Sequence, residues 1–227
     1  MLSFSLSHDD GRFGPGDQLI GASAYRTRPI RRGIKALVFG MALLAVVPLI
    51  GLTWLEKRVS RSESIFVLFG QGLALVPGFP GRWLRGAYYF GTLDACSWEV
   101  HIGFGTLFTH RGAAISPRVS LGAYCIVGHA HIGKDVMIGS RVSIPSGKRQ
   151  HLDESGRLAP VTRFEPVTVG SHCWLGEGAI LLADVGSGCI VSAGAVVIDA
   201  MPAGKLIGGN PARVIRDVER AAEMSEG

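Results

Sequence analysis

His151 stands in the polar run Pro145-Ser146-Gly147-Lys148-Arg149-Gln150-His151-Leu152-Asp153-Glu154-Ser155-Gly156-Arg157, where an otherwise regular pattern of aliphatic residues stops. An imidazole with an ordinary pKa of about 6.5 takes up and releases a proton at neutral pH, so a histidine on an interrupting loop is a candidate general base. Asp153, Glu154 and Glu165 are near enough in sequence to orient it, and the sequence does not choose among them. A second segment, Val127-Gly128-His129-Ala130-His131-Ile132-Gly133, lies inside the regular pattern and places His129 near a corner, as a surface or interface residue. His101, His110 and His172 read as structural. Cys96, Cys125, Cys173 and Cys189 show no C-x-x-C spacing, which argues against a zinc site. Three of them fall on apolar positions of the pattern, as small reduced core residues of a reducing compartment do.

The pattern itself has a beat of six. Ile115, Leu121, Ile126, Ile132, Ile138 and Ile144 recur at steps of six with one step of five. The beat resumes at Val169, Leu175 and Leu181, then at Val185, Val191 and Val197, with one step of four between. A small residue often follows the aliphatic (Ser116, Gly122, Gly133, Gly139, Gly170, Gly176, Gly186, Ser192), and a compact apolar one stands four places after it (Val119, Cys125, Ala130, Val136, Val142, Cys173, Ala179, Cys189, Ala195). Six residues suit neither a helix of 3.6 residues per turn nor a simple hairpin. They suit a short strand and a tight corner, three of which close a triangular coil stacked on its neighbours. The expected fold class is mainly β, with the large aliphatics and their partners pointing inward.

These residues resemble the hexapeptide-repeat acyltransferases over about residues 100–216, most specifically in the ending Gly208-Gly209-Asn210-Pro211-Ala212-Arg213-Val214-Ile215-Arg216. The resemblance implies a left-handed parallel β-helix, an exception to the usual right-handed crossover, and a homotrimer with active sites between subunits. In the sugar O-acetyltransferases of that family a loop histidine precedes a segment similar to Val167-Thr168-Val169-Gly170-Ser171-His172-Cys173-Trp174-Leu175-Gly176. By that match His151 is the general base, Trp174 walls the acyl site, and the backbone N–H near Gly176 or Glu177 faces the thioester oxygen. The resemblance further implies acetyl-CoA as co-substrate, its arm along Ser192, Ala193 and Gly194 and its phosphates at Arg213 and Arg216. Asp199 stands where the family often has lysine, and Lys205 is the candidate substitute. The coil-borne histidine of the related sugar N-acyltransferases resembles His129, which gives amino-sugar N-acylation as the alternative activity. An antibiotic-modifying enzyme, a non-catalytic scaffold and a carbonic-anhydrase-like metal protein using His129, His131 and a third histidine are further readings; the terminal arginine motif and the His151 loop leave no metal expected.

The rest of the chain leans towards membrane. It is 47% hydrophobic with a mean hydropathy of +0.30 and a net charge of +5, and it shows no groove-reading module, so nucleic acid is not an expected partner. Residues 1–33 read as a mobile basic tail, and 34–55 as a membrane helix or a re-entrant segment, an apolar run long enough for a bilayer that Pro48 and Gly51 kink or break. Residues 56–99 read as interfacial or linker helices with Arg82, Trp83, Arg85, Tyr88 and Tyr89 at headgroup level. The catalytic β-helix spans 100–216 with a loop at 145–166, and 217–227 form a short helix or tail. The positive-inside rule favours a cytoplasmic N-terminus, and a single crossing would then put the solenoid outside, away from acetyl-CoA. The expectation is an O-acetyltransferase for a sugar hydroxyl of a cell-envelope polysaccharide or lipid-linked glycan. It is expected on the cytoplasmic face of a bacterial inner membrane.

Overall fold

The computed structural model describes residues 29–60, 62–148, 150–151, 155–160 and 162–218, with side chains from Arg32 onward. Three helices, α1 (Pro29–Val59), α2 (Ser64–Ala74) and α3 (Gly78–Thr92), precede a β-solenoid of about six turns. Residues up to Val38 belong to one compact unit, and the chain from Phe39 onward forms a second, which holds the solenoid.

The solenoid has three faces. Face one stacks Ala95–Cys96, Ala114–Ile115, Ala130–Ile132 and Val167–Val169 in parallel, and isolated bridges continue it to Val185 and Met201. Face two runs from His101–Ile102 through Trp174–Leu175 to Lys205–Gly209, and face three from Leu107–Phe108 to Val196–Val197. The inward columns are Ile115, Ile132, Val169, Val185 and Met201; Ile102, Leu121, Ile138, Leu175, Val191 and Ile207; and Phe108, Val127, Ile144, Leu181 and Val197, all buried. The compact residues from Val119 to Ala195 that follow each aliphatic by four are buried beside them. Face two therefore follows face one by six residues in every turn, and face three follows face two by six. The third edge, from face three back to face one, is the only irregular one: Phe108 to Ile115, Val127 to Ile132, Ile144 to Val169, Leu181 to Val185 and Val197 to Met201 all differ from six.

One residue of the sequence reading is out of phase. Ile126 is 49% exposed and Val127 is fully buried. The step of five thus lies after Val127, at the Gly128-His129 corner, and not before Ile126. A period of six cannot distinguish two adjacent β-branched residues when the next corner is one residue short. The small residues after the aliphatics do not carry the left-handed turns. Left-handed backbone at the corners is carried by Arg118, Tyr124, Asp135, Arg141 and His172, at φ from 57° to 61°, and by several glycines. Gly122 is needed for space: a Cβ there would sit 2.6 Å from Ser140 N on the next turn.

The helices close the open end of the prism. Arg85, Tyr88 and Tyr89 are not at headgroup level but buried, and Arg85 donates from Nε to Ile102 O (3.2 Å) and from Nη1 to Leu73 O (3.1 Å) and Val76 O (2.8 Å). Gly105 N donates to Ala74 O at 3.0 Å, so α2 supplies an acceptor to the first turn. Glu56 reaches from α1 to cap α2, accepting Ile65 N (2.7 Å) and Phe66 N (3.2 Å). The same buried carboxylate pairs with buried Arg111, whose guanidinium lies 5.6 Å from the Phe66 ring centre. At the far end Lys205–Gly209 and Ala212–Asp217 form an antiparallel hairpin, which ends the stack of parallel turns.

Replacing Arg111 by Met should cost about 3–5 kcal/mol in denaturant unfolding, because Glu56 would stay buried without its partner. Gly122→Ala should cost about 1–3 kcal/mol by the same measurement, from overpacking between turns.

Candidate active site

His110, His129 and the long loop all fall on the irregular third edge of the solenoid. In the first turn that corner carries Thr109, His110, Arg111 and Gly112. In the second it carries Gly128 and His129, and in the third it opens into the loop at 145–166. The His129 backbone is fixed on both sides: its N–H donates to Ser146 Oγ (2.8 Å) and its carbonyl accepts Val167 N (3.0 Å). Its ring needs the absence of a side chain at Gly112, where a Cβ would lie 2.9 Å from His129 Nε2. The His131 ring stands edge-on to it, with centres 5.8 Å apart.

His110, which the sequence reading treats as structural, is paired through Nδ1 with Glu63 Oε2 at 2.9 Å. Glu63 lies just before α2, and its Oε1 accepts Arg111 N–H at 3.1 Å. Burial alone would push the Glu63 carboxyl up; the His110 bond, the Arg111 N–H and the charges of both residues together hold it below the usual 4.5. An ionised carboxylate accepts the hydrogen bond that Nδ1–H donates, and in the neutral ring this leaves Nε2 as an acceptor. The Phe164 ring lies 4.1 Å from the His110 ring. Glu63, Val67, Leu68 and Gln71 on the α2 side face His110, His129 and Phe164 across an open cleft of about 890 Å³. No motif in the sequence marks Glu63 or Phe164; only the folding of α2 onto this edge brings them to the histidines.

The two limbs of the loop are tied together by Arg163 N to Gln150 O (2.9 Å) and Ala159 N to His151 O (2.8 Å). His151 is exposed, with Nδ1 3.5 Å from Thr162 Oγ1. Of the three carboxylates considered as its orienting partner, Asp153 and Glu154 lie outside the described residues. Glu165 sits at the root of the loop, where its N–H donates to Ser146 O at 3.2 Å. Lys148 crosses to a later turn and donates from Nζ to Ile198 O (2.8 Å) and Asp199 Oδ1 (3.1 Å). Asp199 therefore anchors the loop.

The residues expected to hold the acyl donor occupy other places. Trp174 is exposed on face two between Met137 and Ile190. Gly176 and Glu177 begin the second edge, where Arg141 Nη2 lies 3.7 Å from Glu177 Oε2. Ser192, Ala193 and Gly194 stack directly on them: a Cβ at Gly176 would meet Ala193 N at 2.4 Å, and one at Gly208 would meet Ser192 Oγ at 3.1 Å. Lys205 is paired with Asp217 across the terminal hairpin. Arg213 and Arg216 are exposed, with Nη1 of Arg213 on Ala212 O (2.8 Å) and Nη1 of Arg216 on Asp217 O (3.5 Å). Within one protomer the base candidates and the acyl-donor residues form two groups on different edges, His129 and the His151 loop on the third and Gly176, Glu177 and Ser192 to Gly194 on the second, while Trp174 lies on face two and Lys205, Arg213 and Arg216 on the terminal hairpin.

No family model matches the chain. It is 36% identical over 155 residues to nodulation protein L of Rhizobium meliloti (strain 1021), spanning 59% of this chain and 83% of that protein. The chain belongs to the hexapeptide-repeat acetyltransferase family. A putative acetyltransferase of Dictyostelium discoideum is 39% identical over 94 residues, 40% of this chain, which thus spans about half (49%) of that relative's length. The fold of this acetyltransferase-family chain is shared with a maltose O-acetyltransferase from Clostridium difficile 630, with a TM-score of 0.61 and 20% identity over 69% of this chain and 86% of that one. Among the described residues no group of three or more His, Cys, Asp or Glu side chains is placed to hold a metal ion. The buried thiols are free: those of Cys125, Cys173 and Cys189 donate to Gly139 O, Gly186 O and Pro202 O on the adjacent turn, each at 3.1 Å.

Because the Glu63 carboxyl titrates below its usual value when folded, its stabilising contribution is complete above about pH 4.5 and is lost as the pH falls through the lower folded value. Glu63→Gln should flatten that part of the acid-side fall in melting temperature while changing neutral stability in the same direction as His110→Ala.

Proposed function

We propose that this protein transfers an acetyl group from acetyl-CoA to a sugar hydroxyl of a cell-envelope polysaccharide or its lipid-linked precursor, with His151 as general base. The observation that carries the reading is the placing of the long excursion at 145–166 of a family acetyltransferase solenoid. It leaves the prism at the edge of His110 and His129, brings Phe164 to their cleft, and presents an exposed imidazole on the same tied limbs.

In this reading His151 accepts the proton of the sugar hydroxyl as its oxygen attacks the thioester carbonyl. The backbone N–H beside Gly176 or Glu177 stabilises the oxyanion that forms. Collapse breaks the carbon–sulfur bond, and the imidazolium returns its proton to the departing thiolate. Trp174 walls the acyl site, and Ser192, Ala193 and Gly194 line the groove of the pantetheine arm. Arg213 and Arg216 serve its phosphates, since guanidinium forks match phosphate oxygens. Lys205 is the weaker candidate for that role, its ammonium being engaged by Asp217. The two groups of residues stand on different edges of a protomer, which supports a homotrimer in which a neighbour's second edge meets the third. Phe164 offers a ring face to a sugar, and Gln71 and Glu63 offer polar partners for its hydroxyls.

A second reading, N-acylation of an amino sugar with His129 as base, is favoured by one observation: His129 lines the cleft and is pinned by Ser146. The two are separated with labelled acetyl-CoA and a lipid-linked glycan fraction. His151→Ala should lower transfer by roughly 10²–10⁴-fold, the usual worth of a general base, with His129→Ala losing less. The reverse order would favour His129, and equal activity of both variants with the native chain would reject both.

A further inference from the structure

We propose that α1 lies in the plane of the membrane surface, its outer face in the lipid, and does not cross the bilayer. The proposal deepens the membrane placement suggested above and is independent of the acetyl-transfer chemistry.

By length and composition α1 is the one described helix able to cross a membrane, with a mean hydropathy of 2.4 over its most apolar window. Its two faces, however, have different surroundings. Phe39, Ala42, Val46, Thr53 and Glu56 are buried at helical spacing, with Leu43, Leu49 and Ile50 half-buried among them. Phe39 packs against Trp83, Phe90 and Trp98, at ring distances of 6.5, 5.4 and 6.1 Å. Ile50 closes on Gly91, where a Cβ would lie 2.6 Å away. Thr53 Oγ1 is 3.1 Å from Tyr88 Oη, Trp54 Nε1 donates to Gly91 O at 2.7 Å, and Glu56 holds both α2 and Arg111. From Phe39 to Glu56, about 26 Å of helix, one side is therefore committed to α3 and to the first turn of the solenoid.

A crossing helix would need those about 26 Å inside a hydrocarbon core of about 30 Å. It would carry with it the flank of α3 with Arg82 and Arg85, and the start of the solenoid around Trp98. Arginines at that depth are costly, and irregular backbone exposed to lipid is not tolerated.

The opposite face of α1 shows what covers it. Between Met41 and Leu55 the exposed residues of this face are Met41, Leu44, Ala45, Val47, Pro48, Gly51, Leu52 and Leu55, without a single charge. Leu44 is 74% exposed and Leu55 58%. An uncharged stripe about 22 Å long is far more than the scattered apolar residues of an ordinary surface. Basic residues bracket it in sequence: Arg31, Arg32 and Lys35 before, Arg58 after, with Lys57 beside it paired to Asp94 at 3.2 Å. Cations flanking an apolar stripe that is backed by folded protein fit an anionic bilayer surface, with the stripe sunk to the acyl boundary and the charges at the phosphates. This arrangement also removes the topological conflict of the sequence: both ends of α1 and the solenoid share one side, the side of the acetyl-CoA.

The test uses the full chain with Lys35→Cys or Ser60→Cys, in sealed bacterial membrane vesicles treated with a membrane-impermeant maleimide, after subtraction of the label taken by the unaltered chain. Both cysteines should react in inverted vesicles and stay protected in right-side-out ones. Reaction from opposite sides would overturn the proposal. Reaction of both only from the outer side would keep the in-plane helix and remove the cytoplasmic placement of the enzyme. In parallel, Leu44→Glu with Leu55→Glu should lower co-sedimentation with phosphatidylglycerol–phosphatidylethanolamine vesicles roughly tenfold or more, with the oligomeric state unchanged. If instead vesicle binding persists and the oligomer dissociates, the stripe is covered by a second copy of the chain and the proposal is wrong.

Discussion

Every turn of this solenoid must bring its backbone back into register with the turn before it. The parallel hydrogen bonds between turns, such as Gly122 N to Ile138 O (2.8 Å) and Gly176 N to Val191 O (2.7 Å), run the length of the prism and satisfy groups that would otherwise be buried unpaired. Two edges meet the requirement in one way, with six residues from inward side chain to inward side chain. The third meets it in several ways, because a connection that leaves the prism and returns needs only matched ends. Variation is thereby confined to one line of the molecule, and His110, His129 and the long loop lie along that line.

The same requirement creates an exposed sheet end at the first turn, a hazard for any stacked β structure. The three helices cover it, and polar groups make the joint specific. Arg85 donates to carbonyls of α2, the α2–α3 turn and face two. Glu56 joins α1, α2 and Arg111. Tyr89 Oη accepts Phe108 N at 3.3 Å. Arg111 is the neighbour in sequence of His110, and Glu63 follows closely on Glu56, so the polar joint and the wall of the cleft are one structure. An apolar collar would cover the end equally well, but it would leave the α2 side of the cleft without fixed donors and acceptors.

The sequence revealed the prism because periodicity is a property of buried positions, and burial here repeats. It also located the loop, since an interruption in a regular series is itself a signal. Three things escaped it for physical reasons. Val127 and Ile126 are both β-branched, so a one-residue shortening at Gly128-His129 displaced the phase by one. The bond between Glu63 and His110 joins residues 47 apart in the chain, and neither has a spacing that announces the other. The terminal Gly-Gly-Asn-Pro-Ala-Arg motif resembles the family strongly, yet its pattern does not disclose that the strand turns back antiparallel to end the stack.

The contact between Lys148 and Asp199 has a consequence for the history of such proteins. Both side chains are about half exposed, so their ion pair contributes little to stability. What it sets is alignment, tying the first residues of a long excursion to a turn two levels further along the stack. A cation at position 199 would repel Lys148 and leave Ile198 O as the remaining acceptor of that tether. A loop grafted onto a stack without Asp199 should therefore arrive less firmly aimed.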